Sequence, residues 1–399
     1  MSKDNRTFFS QKSEWAKVKD HLLAAYLEPY LAKILCTRKP LLYIDGFAGR
    51  GLFDDGSKGS PLIACEVIKA AREKTRSGNT RIDAYFIEKE HGRELKANLA
   101  QYDFATVVDG SYENATKRMD RVDKRKNIFM YVDPYGVKHL DYEQFLLISH
   151  EFSSAEVLLN FNSFGFFRAA CRLLKIDYQD IDEGLEFEEQ DPWVAQSSLS
   201  DAEKLTKIVG GDFWRDVVLQ YKNGSIEGYE AEQKITNGFC RNLERCYSFV
   251  LNIPVRLKSS HRPKYRMIHL SNHYDGCLLM YDNMQKRMQD LFDIQTGSQL
   301  SLFDMNSENQ VVDVRSHLLA FRTHVLGCAE YKEVEAVIAE YVTNIDLAVP
   351  LTHFYDELKQ LEKDDVVEIK RDPQLTAGGR KSTFLKHSTG KRAYVRAKG

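Results

Sequence analysis

Leu41-Leu42-Tyr43-Ile44-Asp45-Gly46-Phe47-Ala48-Gly49-Arg50-Gly51 is the segment from which the architecture can be built. The apolar run that opens it is too short for a helix and is closed by glycines, so it reads as a buried strand. The glycines follow a GxxGxG order, whereas the dinucleotide fingerprint is GxGxxG. That difference argues against NAD and FAD. No Gly-Lys-Ser/Thr follows at the distance a P-loop needs. An acid ending a strand just before a glycine loop suits a ligand with an amino-acid moiety, whose ammonium wants a carboxylate nearby. The same residues also describe a plain tight strand-to-helix turn.

The surrounding chain alternates. Trp15, Val18, Leu22, Leu23, Tyr26, Leu27, Tyr30 and Leu31 recur at helical spacing, and the pattern predicts a helix over 13–35 that ends before Lys39-Pro40. Ser60-Pro61 opens a helix over 60–77, with proline at a favourable first position. Strands are expected at 81–88, 105–109, 127–133 and 156–161, with helices near 89–101 and 140–151. Strands alternating with helices imply a mostly parallel, doubly wound sheet covered on both faces.

Residues 176–246 interrupt this rhythm and read as a helical, acidic insertion. Within it, 177–191 carries eight acids and no lysine or arginine. Two strands are then expected at 248–258 and 265–272, and a helix near 276–291. The first domain is therefore drawn over 1–292. Residues 293–310, rich in Gln, Ser, Asn and Asp, read as a linker. A second domain is drawn over 311–399: helices at 312–326, 330–343 and 350–363, then a hairpin of 366–370 and 382–385 about Gly378-Gly379. Three helices and a hairpin make a winged helix-turn-helix pattern.

Composition narrows the function classes. The chain has 399 residues, with 56 basic against 58 acidic and a net charge of −2, which excludes a globally basic nucleic-acid coat. No apolar run is long enough to span a membrane, and no signal core follows the N-terminus, so a cytoplasmic protein is expected. The 7 cysteines include no CxxC pair, and His139, His150, His261, His269 and His273 lack metal-ligand spacing, so no metal site is expected.

Acids end three further strands. Glu88 closes Tyr85-Phe86-Ile87-Glu88 and is placed to accept from ribose hydroxyls. Asp109 ends Thr106-Val107-Val108-Asp109 and can meet an adenine amino group. Asp133-Pro134-Tyr135-Gly136 ends the fourth strand. One acid at a strand end is commonplace. Four along the edge where open α/β sheets bind ligands are a pattern.

With Gly59-Ser60-Pro61-Leu62 and Leu159-Asn160-Phe161, these motifs resemble the S-adenosylmethionine-dependent methyltransferases, and among them the three-Cys-motif partner protein (TcmP) family. The resemblance covers roughly residues 10–399 and is weakest over 176–246. It implies a Rossmann-like methyltransferase domain with S-adenosylmethionine as cofactor. Asp45, Gly46, Phe47, Gly49 and Gly51 would hold its methionine part, Glu88 its ribose and Asp109 its adenine. Asp133, Pro134 and Tyr135 would form the catalytic set beside the transferred methyl. In amino-group methyltransferases of nucleic acids, an acid or amide followed by two prolines and an aromatic does this work. Here the second proline is missing and Tyr135 follows Pro134 directly. Tyr135 can still stack on a base, and Asn160 or Asn162 can add polar contacts.

The resemblance also implies a three-Cys-motif protein as partner. From Lys363 to Gly399 the chain has a surplus of six basic residues, and Lys370, Arg371, Arg380 and Lys381 are candidates for nucleic-acid phosphates, with DNA expected ahead of RNA. Gln299-Leu300-Ser301-Leu302-Phe303 resembles the peptides by which bacterial proteins dock on the sliding clamp, with Gln299, Leu302 and Phe303 as contacts. It reads equally as an amphipathic tether. Two functions therefore compete: a methyltransferase acting on nucleic acid or an associated substrate, and a non-catalytic nucleic-acid-binding accessory protein on a Rossmann scaffold.

Overall fold

The computed structural model describes residues 12, 14–74, 81–117, 119, 122–152, 154–177, 199–255, 265–295, 314–345 and 349–398. The chain divides into two compact units, Met1–Asn272 and His273–Gly399.

The first unit begins with α1 (Glu14–Leu35), β1 (Leu41–Asp45), α2 (Ser60–Lys74), β2 (Ile82–Glu88) and α3 (Gly92–Leu99). It continues through β3 (Ala105–Asp109), α4 (Tyr112–Thr116), β4 (Asn127–Val132), α5 (Tyr142–Glu151) and β5 (Ser154–Phe161). Then come α6 (Ser163–Leu173), α7 (Leu199–Val209), α8 (Trp214–Lys222), α9 (Gly228–Leu243), β6 (Phe249–Val255) and β7 (Tyr265–Ser271). The sheet has 7 strands in the order β3-β2-β1-β4-β5-β7-β6. β1 to β5 are mutually parallel, and β7 runs antiparallel between β5 and β6. The expected parallel, doubly wound sheet is present. It differs from the dinucleotide-binding order 3-2-1-4-5-6 by this reversed strand.

Every residue of β1 is buried, as a strand covered on both faces requires. Leu42 and Ile44 join the core shared with α5 to α9. Tyr43 faces the other way, its ring 5.9 Å from Phe129, and Tyr30 of α1 lies 4.9 Å from the same ring. α1 is therefore a covering layer of the sheet and no peripheral arm. Its Tyr26 hydroxyl donates to Glu156 Oε2 at 2.5 Å, and His269 Nε2 meets the same oxygen at 3.1 Å.

The described helices of 176–246 are more than an insertion. Trp214, Ile235 and Phe239 are fully buried in the core that also holds Phe161 and Phe166. α6 to α9 form the crossover from β5 to β6, so their apolar faces build one side of the sheet. Most of the acidic run lies outside the described residues, as do 256–264 and 296–313; of the expected linker 293–310, residues 293–295 belong to the helix that ends at Gln295, and Gln299, Leu302 and Phe303 are not described.

The second unit contains α10 (Tyr274–Gln295), α11 (Val314–Leu326), β8 (Lys332–Glu333), α12 (Val334–Val342), α13 (Leu351–Lys363), β9 (Val367–Asp372) and β10 (Arg392–Ala397). α10 belongs here and not with the sheet, whereas the sequence boundary put it in the first domain. The Tyr281 hydroxyl, buried, donates to the Val349 carbonyl at 2.9 Å and ties α10 to the α12–α13 connection. The three strands pair as β8-β10-β9, antiparallel. The return strand is Arg392–Ala397 and not 382–385. Ala393 and Val395 point inward on alternate positions, a pattern that Ser382-Thr383-Phe384-Leu385 cannot supply in that register. The Gly378-Gly379 turn survives at the tip, where Gly379 adopts φ 74° and Thr376 N donates to Arg380 O at 2.8 Å.

Glu232 of α9 and Arg266 of β7 form a two-pronged pair at 2.8 and 2.6 Å, with side chains 0% and 3% exposed. Leaving either charge buried alone costs about 3–5 kcal/mol. Glu232→Ala is expected to lower the unfolding free energy measured in urea by that amount, and adding Arg266→Met to recover part of it. A loss below about 1 kcal/mol would show that water reaches the pair.

Candidate active site

Parallel pairing puts the C-terminal ends of β1 to β5 on one edge. The strand order reverses between β1 and β4, whose neighbours extend in opposite directions, and this opens the crevice that ligands use. Asp45 sits at that point. Its side chain is wholly buried. Oδ1 accepts from Phe47 N at 3.1 Å, and Oδ2 accepts from the Ser60 hydroxyl at 2.7 Å. As folded, the carboxylate is turned into its own loop and fastens the loop to the first residue of α2. Burial pushes its pKa up to about 7, against those two hydrogen bonds.

The loop needs its glycines. A Cβ on Gly46 would lie 2.9 Å from the Tyr112 ring, and Gly46 N donates to Tyr131 O at 2.8 Å. Gly49 and Gly51 adopt φ 62° and 83°, left-handed values that side chains resist. Phe47 is half-buried, its ring 5.0 Å from Tyr112.

Glu88 and Asp109 are register partners at the ends of β2 and β3. Glu88 Oε1 accepts from Glu90 N and His91 N at 2.6 and 2.9 Å, which shapes the turn into α3. Its other oxygen is not engaged in those bonds. Asp109 is exposed and pairs with Lys96 at 2.5 Å. Asp133 is half-buried at the end of β4. Pro134 behind it is buried, and Tyr135 is 45% exposed.

The most consequential contacts come from α1, whose sequence pattern by itself predicts only packing. Lys19 Nζ reaches both oxygens of Asp133, at 3.0 and 2.9 Å. It also lies 5.3 Å from the Tyr265 ring centroid. Asn160 Nδ2 donates to Asp133 Oδ1 at 2.7 Å, and the Tyr131 hydroxyl donates to Oδ2 at 3.3 Å. Asn160 Oδ1 is buried without a partner. Asn162 serves elsewhere, accepting from Gly165 N at 2.8 Å to start α6. Lys12 pairs with Asp20 and donates to the Lys58 carbonyl at 2.5 Å. Burial pushes Asp20 up to about 6 even though Lys12 opposes the shift. The site thus contains three aspartates, 20, 45 and 133; the Asp133 charge opposes ionisation of Asp20 and Asp45, and Asp20 adds to the effect on Asp45. Lys12 and Lys19 are set among them. One signal for α1 was available: Asp20 shares the helical stripe of Leu23, Leu27 and Leu31, where an unpaired acid would be costly.

In the C-terminal unit the four basic candidates separate. Arg380 and Lys381 are exposed at the hairpin tip. Arg371 is consumed internally, by Glu362 at 2.7 and 2.6 Å and by the Phe384 carbonyl at 2.9 Å. Lys370 lies 6.0 Å from the Tyr331 ring centroid. No known protein family matches the chain, and no curated protein matches it.

Asp45 gives a pH test. Its carboxyl has a folded value of about 7 against an ordinary 3.8, so the folded state holds the proton more tightly. Below the lower value the proton is on in both states. As pH rises between the two, the unfolded chain ionises first and stability falls. Asp45→Asn lacks this loss. The stability of the variant relative to wild type is expected to rise by about 2–3 kcal/mol between roughly pH 5 and pH 8 in urea denaturation. A difference that does not change with pH would mean that Asp45 ionises freely.

Proposed function

We propose that the chain is an S-adenosylmethionine-dependent methyltransferase of the three-Cys-motif partner kind, acting on DNA or a DNA-associated substrate. One observation carries the reading: a glycine loop with left-handed backbone and the acids Glu88, Asp109 and Asp133 share one sheet edge at the β1/β4 switch point. When bound, the cofactor supplies an electrophilic methyl group. The residues present fit it. The loop 46–51 offers close backbone approach, Glu88 keeps an oxygen for a ribose diol, and Asp109 stands beside it. Asp45 is a positioning residue here, because it holds the loop and does not face a ligand. Asp133 and the unpartnered Asn160 oxygen would accept hydrogens from an acceptor amine. In the present geometry the Lys19 ammonium fills that place on Asp133 and would have to yield it. Tyr135, exposed beside Pro134, would stack on a base.

The Lys19–Asp133 pair also favours a second reading, in which the edge stays closed and the domain is a scaffold. Calorimetric titration with S-adenosylmethionine and S-adenosylhomocysteine, alongside labelled-methyl transfer to DNA, separates the two. Both ligands are expected to bind, with Glu88→Ala weakening binding by roughly 10–100-fold, the worth of a hydrogen bond to a charged group. Asp133→Ala is expected to abolish transfer and keep cofactor binding. Failure of the folded protein to bind either ligand would sink the proposal, and binding without any turnover would leave the scaffold reading.

The second unit would hold the nucleic acid as a winged helix. From α11 onward, its order of helix, short strand, two helices and hairpin supports that reading. Arg380 and Lys381 would touch phosphates. Replacing both by alanine is expected to weaken DNA binding in anisotropy titrations and lower the salt slope by about 2. Arg371→Ala should instead reduce stability. Unchanged affinity in the double variant would remove the hairpin from the interface.

A further inference from the structure

A cluster in the C-terminal unit is independent of the methyltransferase reading. Asp275 is in the first turn of α10, Glu335 in the first turn of α12, and His387 in the segment that leads into β10. One ligand atom from each lies within 4.8 Å of the other two. We propose that these three residues bind one divalent metal ion of the zinc or manganese class.

The geometry is close to what such an ion needs. Metal–ligand bonds of about 2.0–2.2 Å put ligand atoms roughly 3–4 Å apart. His387 Nδ1 and Glu335 Oε2 are 3.9 Å apart, so small side-chain rotations complete the set. A cavity of about 10 Å³ lies against Glu335 and His387, bounded also by Tyr274, Glu333, Leu385 and Arg392. That is room for about one water or ion. The Tyr355 hydroxyl donates to Glu335 Oε1 at 3.0 Å and orients the carboxylate, as outer partners do for metal ligands. Arg392, on the cavity wall, is paired with Glu333 at 3.1 Å.

The chemistry of the donors selects the ion. Two carboxylates with one imidazole suit zinc or manganese, whereas magnesium and calcium prefer oxygen throughout. Asp275, Glu333 and Glu335 gather negative charge at one place. A bound cation relieves that repulsion and ties the starts of α10 and α12 to the segment before β10. Water would complete its coordination.

Equilibrium dialysis of the chelator-stripped full chain against zinc chloride and manganese chloride, with elemental analysis, tests the site. One ion per chain is expected. His387→Ala and Glu335→Gln should each weaken binding at least about 10-fold, and Tyr355→Phe about 10-fold by loosening Glu335. Asp275→Asn is the milder removal should His387→Ala fold poorly by circular dichroism. Failure to bind either ion would overturn the proposal, and so would wild-type affinity in folded His387→Ala or Asp275→Asn, which would place the ion on other surface groups.

Discussion

A carboxylate with no access to water organises the first unit. Asp45 ends β1, and its two oxygens are occupied by the Phe47 amide and the Ser60 hydroxyl. Those bonds close the long loop between β1 and α2 and hold the glycines at the sheet edge. Gly46, pressed between Tyr112 and the Tyr131 carbonyl, fixes where the loop passes over β4. The glycine loop at the switch point is therefore held by a carboxylate that is turned into that loop. Keeping such an acid buried is expensive, and the raised pKa is the measure of that cost.

Charge around this point is balanced by α1. The helix lies against the sheet through Tyr26 and Tyr30, and the same helix delivers Lys19 to Asp133 and Asp20 to Lys12. Packing and site electrostatics thus share one element. A shift of α1 would disturb both. The side chains of Lys19 and Asp133 are only 15% and 20% exposed, so solvent screens the pair less than a surface ion pair.

The net charge of −2 conceals an uneven distribution. The surplus of basic residues near the C-terminus is partly spent within the fold: Arg371 on Glu362, Arg396 on Glu368, Arg392 on Glu333 and Lys398 on Asp365. The bases outside these pairs are Lys363, Lys370, Arg380, Lys381, Lys386 and Lys391, of which Arg380 and Lys381 stand at the hairpin tip. Counting charges along a segment overstates the field it presents, because antiparallel pairing places opposite charges side by side.

The sequence alone determined the strands β1 to β7, the helices α1, α2, α3 and α5 and the edge on which the acids fall. Strand and helix periods are local, and a buried parallel strand is an apolar run whatever its neighbours. It also placed Glu88, Asp109 and Asp133 at strand ends. Only the tertiary structure decided that Asp45 turns inward, that Arg371 is internal, that α10 belongs to the second unit and that β10 begins at Arg392. Above all it decided that Lys19 sits on Asp133, a partner 114 positions away. Contacts of that kind depend on how elements pack, and no period or motif within one segment encodes which side chain of another will reach it.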